Sequence, residues 1–327
     1  MVRPIIFVHR GYADYLYFAL HQVHYSNPHS SLILISDQKY DHLDFVKQYD
    51  ICNYSEKAIQ FKNVYRHMSK CTYSFELAAF QRLLILGEFM CKENIQDSFS
   101  FDSDVLIYSD LENAYGKLLQ NIDFGYCVVA QDIEISWAGS VHICYWKRDA
   151  ITDYSEFLIQ SFKDGPYFEK YQQKWKNHQA QPELGGGVTE MTALYFYYKK
   201  HDNVKKFYNL SEVTDGASTE WTISTPNGKN LVDEYRMKNR IKDIAWNDGF
   251  PYVYNFFTSS DVKLHFLHFQ GSSKLLMPDY YTGPEFVSMN RIILRNKIKI
   301  CKGKIRNFFA WIVKNMLGRR CSYIPFP

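Results

Sequence analysis

Two short, unbroken apolar runs near the N-terminus, Ile5-Ile-Phe-Val8 and Ser31-Leu-Ile-Leu-Ile35, flank a stretch from Asp14 to Tyr25 that reads as one helix. Apolar runs without polar alternation suit strands covered on both faces, which is how parallel sheets are built. A strand, a helix and a second strand in that order fold almost always as a right-handed crossover, so this opening commits the chain to a parallel α/β sheet. The alternation then continues. Residues 42–49 read as helical, Ile51-Cys-Asn53 as a short strand, Phe75 to Met90 as a strong helix, and Ser98-Phe-Ser-Phe101 as a strand ending in acid. Further strands are expected over Asp123 to Ala130 and Val141 to Trp146, then helices over 148–163, 166–176 and 189–200. From 201 to 290 the pattern is irregular, with strand candidates at 204–208 and 262–269. The expected class is α/β: a mainly parallel sheet flanked by helices, in one large domain over residues 1–290 with a tail over 291–327.

Charge sets the tail apart. The net charge of +3 conceals ten Lys or Arg and no acid in residues 291–327, which leaves the body at −7. Cations interleave there with bulky apolar residues at roughly helical spacing, a pattern suited to an interfacial helix on an anionic membrane surface, with Phe308, Phe309, Trp311 and Ile312 dipping in. The same pattern fits a C-terminal helix packed on the body with a solvated basic face. Nucleic acid is not an expected partner, because that would ask for a basic body. The seven cysteines, at 52, 71, 91, 127, 144, 301 and 321, show neither a disulfide framework nor zinc-site spacing. No secretory leader or spanning segment is legible, and a cytoplasmic location is expected. Tyrosine outnumbers phenylalanine, 26 to 24, so many rings should meet water or a polar ligand, as a carbohydrate partner would require.

Two segments carry the chemistry. Phe99-Ser-Phe-Asp102-Ser103-Asp104 places two carboxylates two residues apart at the end of a buried strand, where they share a face and can grip one divalent cation. Ligands of open α/β sheets bind at the carboxyl ends of strands, so the position is apt; a turn or cap is the plainer reading of the pair. His268-Phe-Gln-Gly271-Ser-Ser-Lys274 offers an imidazole at a strand end, a glycine permitting a tight turn and a lysine that can meet a phosphate. An ordinary Gly-Ser turn with a surface lysine reads equally well. His265 belongs with the fold.

Three further positions add to these. Arg82 shares a helix face with Phe75, Ala78, Ala79 and Phe89, where a cation needs an anion, either Asp102, Glu88 or a bound ligand. Gly185-Gly-Gly187-Val-Thr189-Glu190 joins a flexible loop to a helix that Thr189 can cap, and Glu190 is a dipole-favoured acid or a ligand contact. His9 and Arg10 after the first strand, and Asp37 after the second, are candidates for a base or ribose pocket by position. His142, Trp137 and Trp221 are weaker candidates for an acceptor groove.

Together these residues resemble the nucleotide-sugar-dependent glycosyltransferases of the GT-A fold, and among them the retaining family of glycogenin and the lipopolysaccharide galactosyltransferases. The resemblance spans residues 4–276. It implies that Asp102, Asp104 and His268 bind Mn²⁺ or Mg²⁺, with Mn²⁺ favoured by the imidazole ligand. It further implies that Lys274 and Gly271 contact the diphosphate of a UDP-sugar, that Arg82 and Ser103 lie in the donor pocket, and that Glu190 and Lys274 act in catalysis. Leu275 and Leu276 follow Lys274 where that family usually has Pro-Trp. The activity implied is transfer of a hexose, with retention, to a glycan or lipid-linked acceptor at the inner face of a bacterial membrane. A sugar-nucleotide pyrophosphorylase should show a Gly-rich basic loop after the first strand, which Val8-His-Arg-Gly-Tyr-Ala does not supply. A catalytically silent sugar-nucleotide-binding scaffold differs from the leading reading only in turnover.

Overall fold

The computed structural model describes residues 2–129, 137–181, 187–201, 204–219, 222–228 and 232–302. Its opening elements are β1 (Ile5–His9), α1 (Tyr15–Ser26), β2 (Leu32–Ser36) and β3 (Val46–Asp50). Next come α2 (Glu56–Val64), α3 (Tyr73–Lys92), β4 (Asp97–Phe101), β5 (Val105–Ile107), α4 (Leu111–Tyr115), β6 (Phe124–Val128) and β7 (Gly139–Lys147). Three helices, α5 (Arg148–Ser161), α6 (Pro166–Ala180) and α7 (Glu190–His201), precede β8 (Phe207–Asn209).

Seven of these strands form one sheet in the order β3-β2-β1-β4-β7-β6-β8. The sheet is mainly parallel, with β7 running antiparallel between β4 and β6. Because side chains alternate across a strand, β1 feeds two cores. Ile6 and Val8 pack with α2, α3, α5 and α7 on one face. Ile5 and Phe7 pack with α1 and the C-terminal segments on the other. Every residue of β1 and β2 is buried, as unbroken apolar runs require. Mixed α/β architecture with a flanked, mainly parallel sheet is therefore what the opening alternation leads one to expect.

Local readings fail at the sheet edge. Residues 46–50 are strand, not helix, and only Val46 of them is buried. Pairing along β2 through five registered residues outweighs the weak three- to four-residue spacing of apolar side chains there. Ile51-Cys-Asn53, expected as a strand, begins a short 3-10 turn, because the Asp50 side chain accepts from Cys52 N at 2.8 Å and closes it. Helix α2 has no clear signature in the sequence, and it buries only Ala58 and Phe61. The expected strand 262–269 is two strands, Ser260–Leu264 and Phe266–His268, belonging to different small sheets.

At the C-terminus, residues 289–302 are helical, and Ile292 and Asn296 are buried against the body while Leu294 and Ile298 face outward. Arg295 reaches Asp14 at 3.5 Å. Phe308, Phe309, Trp311 and Ile312 lie outside the described residues, as do Gly185, Gly186 and Trp221.

Candidate functional site

Strand pairing assembles the site from distant parts of the chain. Chain direction changes just after β4, where Asp102 N donates to His142 O on β7 at 3.1 Å. Residues 105–107 then pair antiparallel with Phe266–His268, putting His268 opposite Val105, and Phe269 N donates to Asp104 O at 2.8 Å. A separation of more than 160 residues thereby closes to contact. One ligand atom each from Asp102, Asp104 and His268 lies within 4.8 Å of the others. His268 Nε2 is 3.4 Å from Asp104 Oδ1 and 3.9 Å from Asp102 Oδ2. Gly271, at φ +64, opens a 3-10 turn over Gly271–Leu276 that a side chain would strain. That turn brings Lys274 Nζ to 3.1 Å from Asp104 Oδ2 and 5.0 Å from the Tyr15 ring.

Each acid in the cluster has its own electrostatic setting. Burial acts to raise Asp104, but the His268 hydrogen bond and the charges of His268 and Lys274 outweigh it, holding the carboxyl well below the usual range. Asp102 moves the other way: burial and the neighbouring Asp104 raise it, although Arg82 pairs directly with it. Two carboxylates and an imidazole at these separations make a donor set suited to a divalent cation, with Asp104 already in its ligating, ionised form.

Arg82 therefore finds an anion within the chain. Its helix face is not apolar core as expected: Phe75 is 65% exposed, and only Phe89 of the named neighbours is fully buried. That face of α3 is only partly covered, and Arg82 meets the charges of both Asp102 and the acid at the start of α7. Glu190 is that acid. Burial and the negative charges of Glu76 and Asp102, opposed by Arg82, push its carboxyl up to about 7. Glu76 is 1% exposed and accepts from Ser69 Oγ at 2.8 Å, and its carboxyl also meets Glu190. Sequence reasoning misses Glu76 because a lone glutamate in a first helical turn reads as a surface residue.

Of the remaining candidates, His9 Nδ1 and Ser103 Oγ lie 2.9 Å apart, which fastens Ser103 to the end of β1. Burial and the charge of Lys274 lower His9 to about 4, so its ring is neutral near pH 7, and Nε2 is buried without a partner among the described residues. Asp37 is exposed and accepts from Gly11 N at 2.7 Å, pinning the loop after β1. Arg10 is exposed beside it. In the same loop Tyr12, 56% exposed, stacks on Tyr40 with centroids 5.3 Å apart, a ring platform that nothing in the sequence singles out. His265 serves the fold, with Nδ1 2.9 Å from Ser109 Oγ. His142 does not line a groove: it is fully buried behind His268. Trp137 packs on Phe196 of α7. A cavity of about 180 Å³ opens beside His268, walled by Ser140, Met191, Thr222, Thr225, Asn227 and Gln270.

No protein-family model matches this chain, and no characterised protein sequence matches it. Solved structures similar to it include mouse xyloside xylosyltransferase 1 in its apo form, at 10% identity and TM-score 0.44, covering 64% of this chain and 85% of that one. The galactosyltransferase LgtC in complex with donor and acceptor sugar analogues is 12% identical at TM-score 0.35, covering 59% and 70%. The apo WbbM bifunctional glycosyltransferase is 10% identical at TM-score 0.43, covering 90% of this chain and 51% of that one. At such identities and TM-scores, any functional reading of this chain rests on its own site residues.

Proposed function

We propose that this chain is a metal-dependent glycosyltransferase that moves a hexose from a UDP-sugar to a hydroxyl of a glycan or lipid-linked acceptor. The observation that carries the reading is the convergence of Asp102, Asp104 and His268 with Lys274 at the carboxyl end of the sheet. Asp102, Asp104 and His268 would hold Mn²⁺ or Mg²⁺, which when bound neutralises charge on a leaving diphosphate. Lys274, one short turn beyond His268, adds a mobile cation for the same oxygens. Ser103, held by His9, presents a hydroxyl between the two aspartates, and Gly271 lets the backbone approach a phosphate closely. Tyr12 offers a ring face to a nucleobase, with Asp37 and Arg10 beside it for ribose or base edges.

The cavity beside His268 suits the sugar side of the reaction. Its hydroxyl and amide side chains fit a neutral polyhydroxy ring, and about 180 Å³ is below the ~300–1,000 Å³ of pockets for drug-sized ligands, so one ring unit is the matching scale. Glu190, poised near neutrality, can hold or release a proton close to the transferred group. Retention of anomeric configuration is part of the proposal, and proton NMR of the first product from an α-linked donor reports it. A β product would make Glu190 the base of an inverting reaction.

Membrane-surface association, at the inner face of a bacterial membrane, also belongs to the proposal. It is supported by the outward-facing Leu294 and Ile298 among the cations Arg291, Lys297 and Lys299 of the 289–302 helix. The function is tested by incubating the protein with a panel of nucleotide sugars, with and without Mn²⁺, and following release of the nucleotide. Metal-dependent hydrolysis of one UDP-sugar above the others is the expected result. No turnover of any donor, with UDP binding intact, would favour a silent binder.

A further inference from the structure

His142 is a buried polar side chain that the proposed reaction does not use, and neighbours hold it on several sides. It is fully buried on β7. Its ring lies parallel to that of His268, with centroids 5.1 Å apart and planes 1° from each other, while Phe266 meets it edge-on at 5.6 Å. Both ring nitrogens face polar atoms: Nδ1 is 2.6 Å from Ser140 Oγ and Nε2 is 3.7 Å from Cys127 Sγ, which in turn is 3.3 Å from Thr219 Oγ1. Its backbone carbonyl accepts from Asp102 N at 3.1 Å. One residue thus touches two of the three groups that converge on the candidate metal site, Asp102 through the main chain and His268 through the ring.

We infer that His142 is a positioning residue for the metal site, fixing the plane of the His268 imidazole so that Nε2 faces Asp102 and Asp104. The inference rests on the proposed metal role of His268. The physical reason is rotational. An imidazole attached by two single bonds can turn about both, and a flat neighbour on one face removes that freedom before a ligand arrives. The contacts from Ser140 and Cys127 stop the neighbour itself from turning. On this account the ring face of His142 matters for the metal, whereas its nitrogens matter for holding the ring.

The test is Mn²⁺ binding to the full chain in the presence of UDP, read by electron paramagnetic resonance of free Mn²⁺, with the thermal midpoint of each protein measured without metal. His142→Ala should weaken Mn²⁺ binding about 10- to 100-fold, the range for groups that orient metal ligands. His142→Phe should recover binding to within a few-fold of wild type while losing thermal stability, since it keeps a flat face and abandons Ser140 and Cys127. Ser140→Ala, a milder change that keeps the ring but releases one edge, should weaken binding several-fold and serves if His142→Ala does not fold. Wild-type affinity in His142→Ala, or in Ser140→Ala where the former cannot be made, overturns the inference. So does a Phe variant as weak as Ala. If wild type itself binds no Mn²⁺, the metal reading falls first and this inference with it.

Discussion

Replacing Glu190 by Gln should make the protein more stable at pH 8 while abolishing transfer, an opposition that ordinary surface acids do not show. The carboxyl is partly buried, and burial, aided by the charges of Glu76 and Asp102, outweighs Arg82 and pushes it to about 7 against an ordinary 4.5. For an acid raised in the folded state, folded protein binds the proton more tightly than unfolded protein. Its penalty is therefore absent below about pH 4.5, grows as pH rises, and is complete above about pH 7. At ~1.4 kcal/mol per pH unit the full penalty is roughly 3 kcal/mol, an upper bound for a carboxyl that shares its surroundings with a second titrating acid. Glutamine also forfeits the favourable field at the start of α7, worth about 0.3–1 kcal/mol. The net expectation is about 1–2 kcal/mol of stabilisation at pH 8, vanishing near pH 4.5. Urea unfolding of both proteins at several pH values, followed by tryptophan fluorescence, measures the difference directly, because every other titrating group is common to both. A difference that does not change with pH, or a variant less stable than wild type at pH 8, would refute the reasoning.

Asp102→Asn and Asp104→Asn should each remove the metal dependence of UDP binding in calorimetric titrations while leaving the fold intact; unchanged affinity in both variants would dismiss the metal site. Burial lowers His9, His21 and His265 to about 4 each, so folded protein holds fewer protons on them than unfolded protein, and stability should fall as pH drops from about 6.5 towards 4. Denaturation midpoints across that interval report it, and replacing His265 by Asn should flatten the slope. Truncation after residue 302 combined with Leu294→Ser and Ile298→Ser should release the chain from anionic vesicles in low-salt co-sedimentation without loss of donor hydrolysis, each cation near such a surface contributing about 1 kcal/mol. Equal sedimentation of both forms would remove the membrane role.

How much of the fold and the site is legible in the sequence depends on how local each signal is. The runs Ile5–Val8 and Leu32–Ile35 announce buried parallel strands because burial on both faces leaves no polar residue among them, and both lie where the sequence suggests. Edge strand β3 gives no such sign: its outward residues Lys47, Gln48 and Asp50 are those of a surface segment, and only the partner strand decides its shape. At the site, Asp102, Asp104, His268 and Lys274 are readable as chemistry-bearing pairs in sequence. That they meet depends on β5 finding Phe266–His268, a pairing of three residues each that no local pattern reveals. Arg82 stands out in the sequence for a reason that the structure revises. A cation on an apolar helix face suggests a buried charge in need of an anion, and the anion is there, but exposed Phe75 shows that the face is not core. His142 and Glu76 are illegible in their roles, since a buried histidine on a strand and an acid in a first helical turn look the same whether or not a site lies beside them.

The charges at the site suggest how its two incoming ligands depend on one another. Asp102 is paired with Arg82, Asp104 with Lys274, and Glu190 with Glu76 in an arrangement that favours a shared proton. Among these groups the acids and the two cations nearly cancel. The named groups sum to about −1, so a divalent cation arriving alone would leave about one positive charge in a partly buried cleft and a diphosphate alone about three negative ones, whereas together they return the site to about −1. Binding of the two should therefore be strongly cooperative, and the coupling must be reciprocal, so saturating UDP should tighten Mn²⁺ by the same factor by which Mn²⁺ tightens UDP. Couplings of this kind are typically about 1–3 kcal/mol, a factor of roughly 5 to 150. Lys274→Met should enlarge the preference for metal in the absence of nucleotide, because it leaves Asp104 without its lysine, yet weaken UDP. Titrating each ligand with the other absent and then saturating gives both factors. Mn²⁺ affinity indifferent to UDP would mean that the paired charges of Arg82 and Lys274 are structural, and that the cation and the diphosphate do not share this site.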